Sequence, residues 1–258
     1  MVVAFLLANK NSSFLPSTMT KLSKFLYLLL FCLVSLFIAA CGSDEDEESQ
    51  NNAQLRYLNA SSISPRSSII LGVDLDNPQD TFTLNFGEFT NYISYNQNQF
   101  EFLAFRESSP VFDDPERISV SDGDYETIVL VQENGVDRFT SFTDLNEEPP
   151  GGTFNLRVIN LSEDTDSVDF YFITLGESVS NIEPTESSVG FLDDSDYFNA
   201  TNRVQVQRIA ITSAGGDNII FDTGPITFQT GKNFSLYLLP TLGGRTLSGG
   251  MIVEDGDL

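Results

Sequence analysis

From Gln54 onward the apolar positions come in short runs without a sustained helical period. Leu55-Arg56-Tyr57-Leu58, Phe100-Glu101-Phe102, Thr127-Ile128-Val129-Leu130-Val131 and Phe234-Ser235-Leu236-Tyr237-Leu238 are of strand length and rich in branched and aromatic residues. Successive side chains of a strand point to opposite faces, so runs of this kind predict strands and not amphipathic helices. Turn formers separate them: Asp122-Gly123, Asn134-Gly135, Gly215-Gly216, Gly243-Gly244 and Gly249-Gly250. Many short strands punctuated in this way predict an all-β sandwich or barrel.

The pattern also repeats. Leu55-Arg56-Tyr57-Leu58-Asn59-Ala60-Ser61 matches Leu156-Arg157-Val158-Ile159-Asn160-Leu161-Ser162, 101 positions later. In the same order, Gly87 with Tyr92 matches Gly190 with Tyr197, Leu103-Ala104-Phe105 matches Ile209-Ala210-Ile211, and Phe112-Asp113 matches Phe221-Asp222. Gly123 then matches Gly231 at an offset of 108, so loops of the second copy are expected to be longer. Each copy is about 100 residues, the size of an immunoglobulin-like sandwich. The expectation is two tandem immunoglobulin-like β-sandwich domains, residues 54–148 and 153–258. Pro149-Pro150-Gly151-Gly152 stands between them as a short stiff-then-flexible linker.

The second copy carries a resemblance. Its opening, Leu156 to Ser162, followed by Val168-Asp169-Phe170-Tyr171, is similar to the opening of the bacterial domain-of-unknown-function family 4397. Gly190 with Tyr197, and Gly231 with Phe234, stand where that family has later Gly and Tyr landmarks. The first copy departs more, with Ser61-Ser62-Ile63-Ser64-Pro65 in place of an acidic loop. The resemblance spans about 200 residues and implies tandem secreted β domains. It implies no activity.

Residues 1–40 are built differently, with Lys10, Lys21 and Lys24 and no acid. Phe25 to Phe37 is an uncharged run of 13 residues. That is short of the ~20 a membrane-spanning helix needs. It fits the apolar core of a secretion signal, and Met19 is a better start for that signal than Met1. Ile38-Ala39-Ala40-Cys41 resembles the lipobox of bacterial lipoproteins, which implies cleavage before Cys41 and acylation, palmitate included, at that residue. Several acyl chains suffice for stable membrane attachment where one does not. Cys32 would be discarded with the signal. Residues 41–53 form the lipidated and acidic tether. Gly42 in place of Asp favours the outer membrane by resemblance, and Ser43 to Glu48 resembles the acidic surface-export tag of Bacteroidetes lipoproteins. Such a charge block also reads simply as a solvated leash. The expected location is the extracellular face of the bacterial outer membrane.

Charge narrows the partners. The 258 residues hold 37 acids against 13 Lys and Arg, a net charge of −24, with no His and no Trp. Loss of the three signal lysines leaves 10 bases against 37 acids, or −27. A chain so acidic is not built for nucleic acid. Without His there is no Ser-His-Asp triad and no His-ligated zinc. Neither G-x-S-x-G nor H-E-x-x-H occurs. No enzyme is expected, with a carboxylate-based hydrolase as the remote third reading.

Two kinds of site candidate remain. The repeated corners Asn59/Ser61 and Asn160/Ser162 could hold a polar ligand, although Asn and Ser commonly close turns. Asp193, Asp194 and Asp196 are the best acidic cluster for calcium, which takes six to eight oxygens, although acid clusters are expected in such a chain. No other cofactor is indicated. The leading reading is a non-enzymatic binding or adhesion module, with a glycan or protein as ligand and the membrane as partner through Cys41. The alternative is a structural envelope or assembly subunit.

Overall fold

A computed structural model describes residues 52–255 apart from 73–75, 77, 107–108, 112–113, 164, 203–205 and 243–246. The signal segment, Cys41 and the acidic run 44–48 lie outside the described residues. The first copy holds β1 (Ala53–Asn59), β2 (Arg66–Gly72), β3 (Asp80–Asn85), β4 (Ile93–Tyr95), β5 (Gln99–Arg106), β6 (Ser109–Pro110), β7 (Glu116–Ser119), β8 (Tyr125–Glu133) and β9 (Val136–Asp144). The second holds β10 (Phe154–Asn160), β11 (Ser167–Thr174), β12 (Glu186–Gly190), β13 (Phe198–Ala200), β14 (Gln207–Ser213), β15 (Ile219–Asp222), β16 (Asn233–Pro240) and β17 (Leu247–Asp255). The one short helix among the described residues is a 3-10 turn, Val179–Asn181, in the longer β11–β12 loop.

Each copy is a two-sheet sandwich, and the two have the same plan. Sheets β4-β1-β8-β9 and β13-β10-β16-β17 correspond, as do β3-β2-β5-β6 (β7 also on β5) and β12-β11-β14-β15. In both copies the first strand runs parallel to the penultimate one, Arg56 opposite Thr127 and Arg157 opposite Ser235. An immunoglobulin-like sandwich pairs its first strand with its second in the four-stranded sheet. Here β1 and β2 sit in different sheets, so the sandwich expectation holds and the immunoglobulin strand order does not.

Register corrects two of the matched landmarks. Val168, Phe170 and Phe172 occupy the places of Ser67, Ile69 and Leu71, and their partners across the sheet are Ile211 and Ala104 respectively at the central pair. Phe102-Leu103-Ala104 is thus the true counterpart of Ile209-Ala210-Ile211. Matching Leu103-Ala104-Phe105 instead would slip the strand by one residue and turn every side chain to the wrong face. Likewise the amide of Gly87 donates to Asn59 O at 2.7 Å, and in the second copy it is Leu192, not Gly190, that donates to Asn160 O, at 2.8 Å. Both residues have positive φ, 77° and 63°. Gly190 has a different reason to lack a side chain, since a Cβ there would come within 2.6 Å of Asp193 Oδ2. Phe112-Asp113 lies outside the described residues.

Alternation sets one core per sandwich. Leu55, Tyr57, Ile69, Phe100, Phe102, Ile128 and Leu130 pack inside the first. Phe154, Leu156, Val158, Phe170, Ile209, Leu236 and Leu238 pack inside the second. The opposite faces of β1, β8, β10 and β16 are not left to water. Leu58, Val129, Val131, Phe142, Ile159, Leu161, Tyr237 and Leu239 form a third core between the sandwiches. This explains the unbroken run Ile128 to Val131: a strand buried on both faces needs no polar alternation. Gln50–Leu258 is accordingly one compact unit.

The segment joining the copies is tied down as well. Thr153 N donates to Pro150 O at 3.0 Å, and the side-chain amide of Asn233 donates to Leu145 O and Glu147 O at 2.8 and 3.0 Å. The stretch before the linker is thus held by the second sandwich, and Pro150 to Thr153 closes a hydrogen-bonded turn. With the core shared, calorimetry should give one unfolding transition for the two sandwiches. Ile159→Ala, costing about 2–5 kcal/mol at a buried site, should lower that single transition as a whole. Two separated transitions in the wild-type chain would contradict the shared core.

Candidate functional site

The polar groups gathered at the centre of the molecule lie in the third core. Arg56 of β1 and Arg157 of β10 each point out of their own sandwich and into the joint. Arg56 Nε donates to Thr127 Oγ1 at 2.6 Å, and its Nη1 donates to the backbone oxygen of Glu254 at 2.7 Å. Its Nη2 donates to Asp255 and to Tyr237 Oη, the latter at 3.2 Å. Arg157 repeats the scheme. Its Nε donates to Ser235 Oγ and its Nη1 to the backbone oxygen of Thr143, both at 2.7 Å, and its Nη2 donates to Asp144. Each arginine thus bonds a hydroxyl of its own sandwich and the carboxylate of the other.

The remaining valences are filled in the same pattern. Tyr92 Oη donates to Asp144 Oδ2 at 2.7 Å, and Tyr197 Oη to Asp255 Oδ2 at 2.8 Å. Their rings cover the guanidinium groups, 4.7 Å from Arg56 Cζ and 4.6 Å from Arg157 Cζ. Thr127 and Ser235 donate to Asp144 and Asp255 in turn. Arg56, Arg157, Asp144 and Asp255 are 2, 1, 5 and 0% exposed, which leaves no room for a ligand to reach them. Taking such ions out of water costs several kcal/mol each, and the cost is met only where every donor and acceptor is used. Burial pushes the Asp144 carboxyl above its ordinary range, and Arg56 pulls against it. Burial likewise raises both tyrosine hydroxyls, helped by the carboxylates beside them. The arrangement is a brace and has no reacting atom in reach.

The sequence-predicted residues fall around this brace. Asn59 and Asn160 are both fully buried. Their side-chain oxygens accept from Ser61 N and Ser162 N at 3.1 Å in each copy. Asn59 Nδ2 donates to Ser64 O and Leu84 O, and Asn160 Nδ2 to Thr165 O and Val189 O. The two corners are closed turns whose hydrogen bonds are spent internally. Asp194 pairs with Arg157 Nη1 at 2.9 Å. Between its acidic neighbours, Ser195 Oγ accepts from Val158 N at 2.9 Å, which ties that loop to β10. Asp193 and Asp196 remain on the loop. Among the described residues no three Asp, Glu, His or Cys side chains are grouped to hold a metal.

Two features escaped the sequence. Glu126 of β8 is 6% exposed beside the brace. Its Oε1 accepts from Thr143 Oγ1 at 2.5 Å, while Oε2 is buried without a hydrogen-bond partner among the described residues. Burial pushes its carboxyl up to about 7. The second feature is an open cleft of about 540 Å³ on the first sandwich, lined by Pro65, Arg66, Ser68, Thr83 and Arg106. Ser64 Oγ accepts from Arg106 Nε at 3.0 Å and donates to the buried Asp137, which lies 3.6 Å from Arg106 Nη2. An arginine within an apolar strand, at the same place in both copies, was the signal for the brace. The arginine pair of the cleft comes from two distant strands and had no sequence signal.

Comparison with known proteins adds one domain match and little else. Residues 44–171 match the model of DUF4397, a domain of unknown function. The match runs through the first sandwich and on to Tyr171 of β11. No curated protein matches. Among solved structures, a streptococcal virulence factor described for alpha-glucan binding is 10% identical over 72% of this chain and 92% of that one, with a TM-score of 0.26. A family 26 carbohydrate-binding module from Eubacterium rectale Amy13K, solved with maltoheptaose, is 10% identical over 79% and 96%, with a TM-score of 0.26. A candidate adhesin from Bacteroides ovatus is 11% identical over 78% and 93%, with a TM-score of 0.23. Likeness at such scores decides neither the fold nor the ligand.

The brace and its acidic neighbour make separate predictions. Asp144→Asn and Asp255→Asn should each cost about 3–5 kcal/mol in urea unfolding, because each removes the carboxylate that a buried arginine meets across the joint, and the two costs should be similar. A loss under about 1 kcal/mol in either would contradict the brace. For Glu126, a folded-state value of about 7 against an ordinary 4.5 means the folded chain holds a proton that the unfolded chain has released. Its contribution is favourable below pH ~4.5 and is lost as pH rises towards ~7. The stability gained by Glu126→Gln should therefore grow across that window and level off above it. A gain independent of pH would refute this.

Proposed function

We propose that this chain, whose residues 44–171 carry a DUF4397 domain, is a lipid-anchored envelope protein. It presents its two sandwiches as one rigid, non-enzymatic binding module. The observation that supports this reading most directly is the brace. It commits the central charges to holding the sandwiches together and leaves the polar cleft of the first sandwich open on a stiff frame. A preorganised frame favours binding, since little freedom is lost when a ligand docks. The lipobox supplies the anchor at Cys41, and the acidic run behind it supplies a solvated leash that favours display on the outer face.

Two measurements test the reading. Cys41→Ser should abolish labelling by a palmitate analogue and release the chain from the membrane fraction. Retention in the membrane without label would refute the anchor. The full chain in detergent, applied to a glycan array, should retain at least one glycan class without turning it over. Release of shortened glycan would instead establish a hydrolase.

A further inference from the structure

We propose that the cleft at Arg66 and Arg106 recognises an acidic polysaccharide through its carboxylate or sulfate groups, an assignment that rests on the binding-module reading. The first observation is an imbalance of charge. The chain carries a net charge of −24, and of its described cations Arg56, Arg106, Arg117, Arg138, Arg157, Arg208 and Lys232 all have a carboxylate partner. Arg66, exposed at the start of β2, makes no close ion pair among the described residues; Glu88, held low chiefly by hydrogen bonding at Asn85, also feels its charge. Its guanidinium is not closed off by a direct carboxylate contact, and it lines the cleft.

The second observation is preorganisation. Arg106 Nε is held at 3.0 Å by Ser64 Oγ, itself anchored on the buried Asp137. The side chain is nevertheless 49% exposed and lines the cleft. Guanidinium groups match planar oxyanions through paired hydrogen bonds. Ser68 and Thr83, whose hydroxyls lie 3.0 Å apart across β2 and β3, offer polar partners for sugar hydroxyls. Phe105 stands opposite Ser68 in the ladder and is half-buried on the same face, where a sugar ring can rest. The cleft, about 540 Å³, lies within the usual size range of ligand pockets.

The third observation is asymmetry. The sandwiches share their strand plan and their brace, yet the places of Arg66 and Arg106 are taken in the second copy by Ser167 and Ser213, as register shows. Nothing in the common frame therefore requires the arginine pair. Repulsion from the acidic surface does not forbid an acidic ligand, because charges are screened over about 8 Å at physiological salt and the contact is local.

The test is titration of the full chain in detergent with polygalacturonate, chondroitin sulfate, glycogen and poly-glutamate. Wild type should bind one or both acidic glycans, and which of the two assigns carboxylate or sulfate as the group read. Arg66→Ser, which copies the second sandwich and breaks no close ion pair, should weaken that binding at least tenfold with an unchanged melting temperature. Arg106→Lys, which keeps charge but not the paired donors, should weaken it less. Binding of glycogen alone, unaffected by Arg66→Ser, overturns this proposal and leaves the binding module standing. Binding of poly-glutamate lost in Arg66→Ser, with no acidic glycan bound, overturns the glycan class. No binding in any arm and none on the array overturns both readings.

Discussion

Four buried charges, two arginines and two aspartates, hold the two sandwiches in one arrangement, and much else in the molecule follows from them. Arg56 bonds Asp255 and Arg157 bonds Asp144, so the shortest ion pair of each arginine reaches across to the other sandwich, beside a longer one within its own, to Asp144 and Asp194. A half-made set would leave a bare charge in an apolar joint. The geometry therefore has to be met as a whole: tyrosine lids, the hydroxyls of Thr127 and Ser235, and backbone oxygens all close on the guanidinium groups together. Around this polar centre lie Leu58, Val129, Ile159 and Tyr237, which supply the hydrophobic part of the joint. Apolar packing alone tolerates sliding and rotation. A cross-bonded set of charges does not, so the brace fixes orientation more than it adds stability.

Much of the architecture was legible in the sequence because it depends on local pattern. Strand length, turns such as that at Asn134-Gly135 and the doubled Leu-Arg-x-x-Asn-x-Ser segment each follow from short-range rules, whereas Gly249-Gly250, expected as a turn, lies within β17 and pairs with β16. Asn134-Gly135, for example, takes positive φ at both residues, 52° and 80°, as a tight hairpin requires. What composition could not fix was the face of each strand. Ala104 and Ala210 look alike as letters but point to opposite sides of their sheets, and only pairing reveals it. The immunoglobulin order failed for a related reason: strand pairing between distant segments is not written in either segment alone.

The site was less legible than the fold. Arg56 and Arg157 were in view as part of the repeat, yet their aspartate partners close β9 and β17, nearly 90 or 200 residues away in the chain for Asp144 and Asp255 from Arg56. The Asn-x-Ser corners attracted attention because they recur, and they recur because the same turn is built twice. Unbroken runs such as Ile128 to Val131 held the missing clue. They are too apolar for one wet face, and the second dry face is the other sandwich. Where the copies differ, as at Arg66 and Arg106 against Ser167 and Ser213, repetition offers no guide.

The exchange pattern of the brace is that of a two-fold dimer: residue i of one half meets residue j of the other, and j meets i. The turn at 149–152 makes that dimer a single molecule. Its two halves can never dilute apart, so the effective concentration of each for the other is fixed by the chain and not by how much protein the cell makes. A dimer of identical subunits must change both of its surfaces whenever it changes one. This covalent pair is free of that constraint: it can keep the joint symmetrical and let one half alone acquire a new surface.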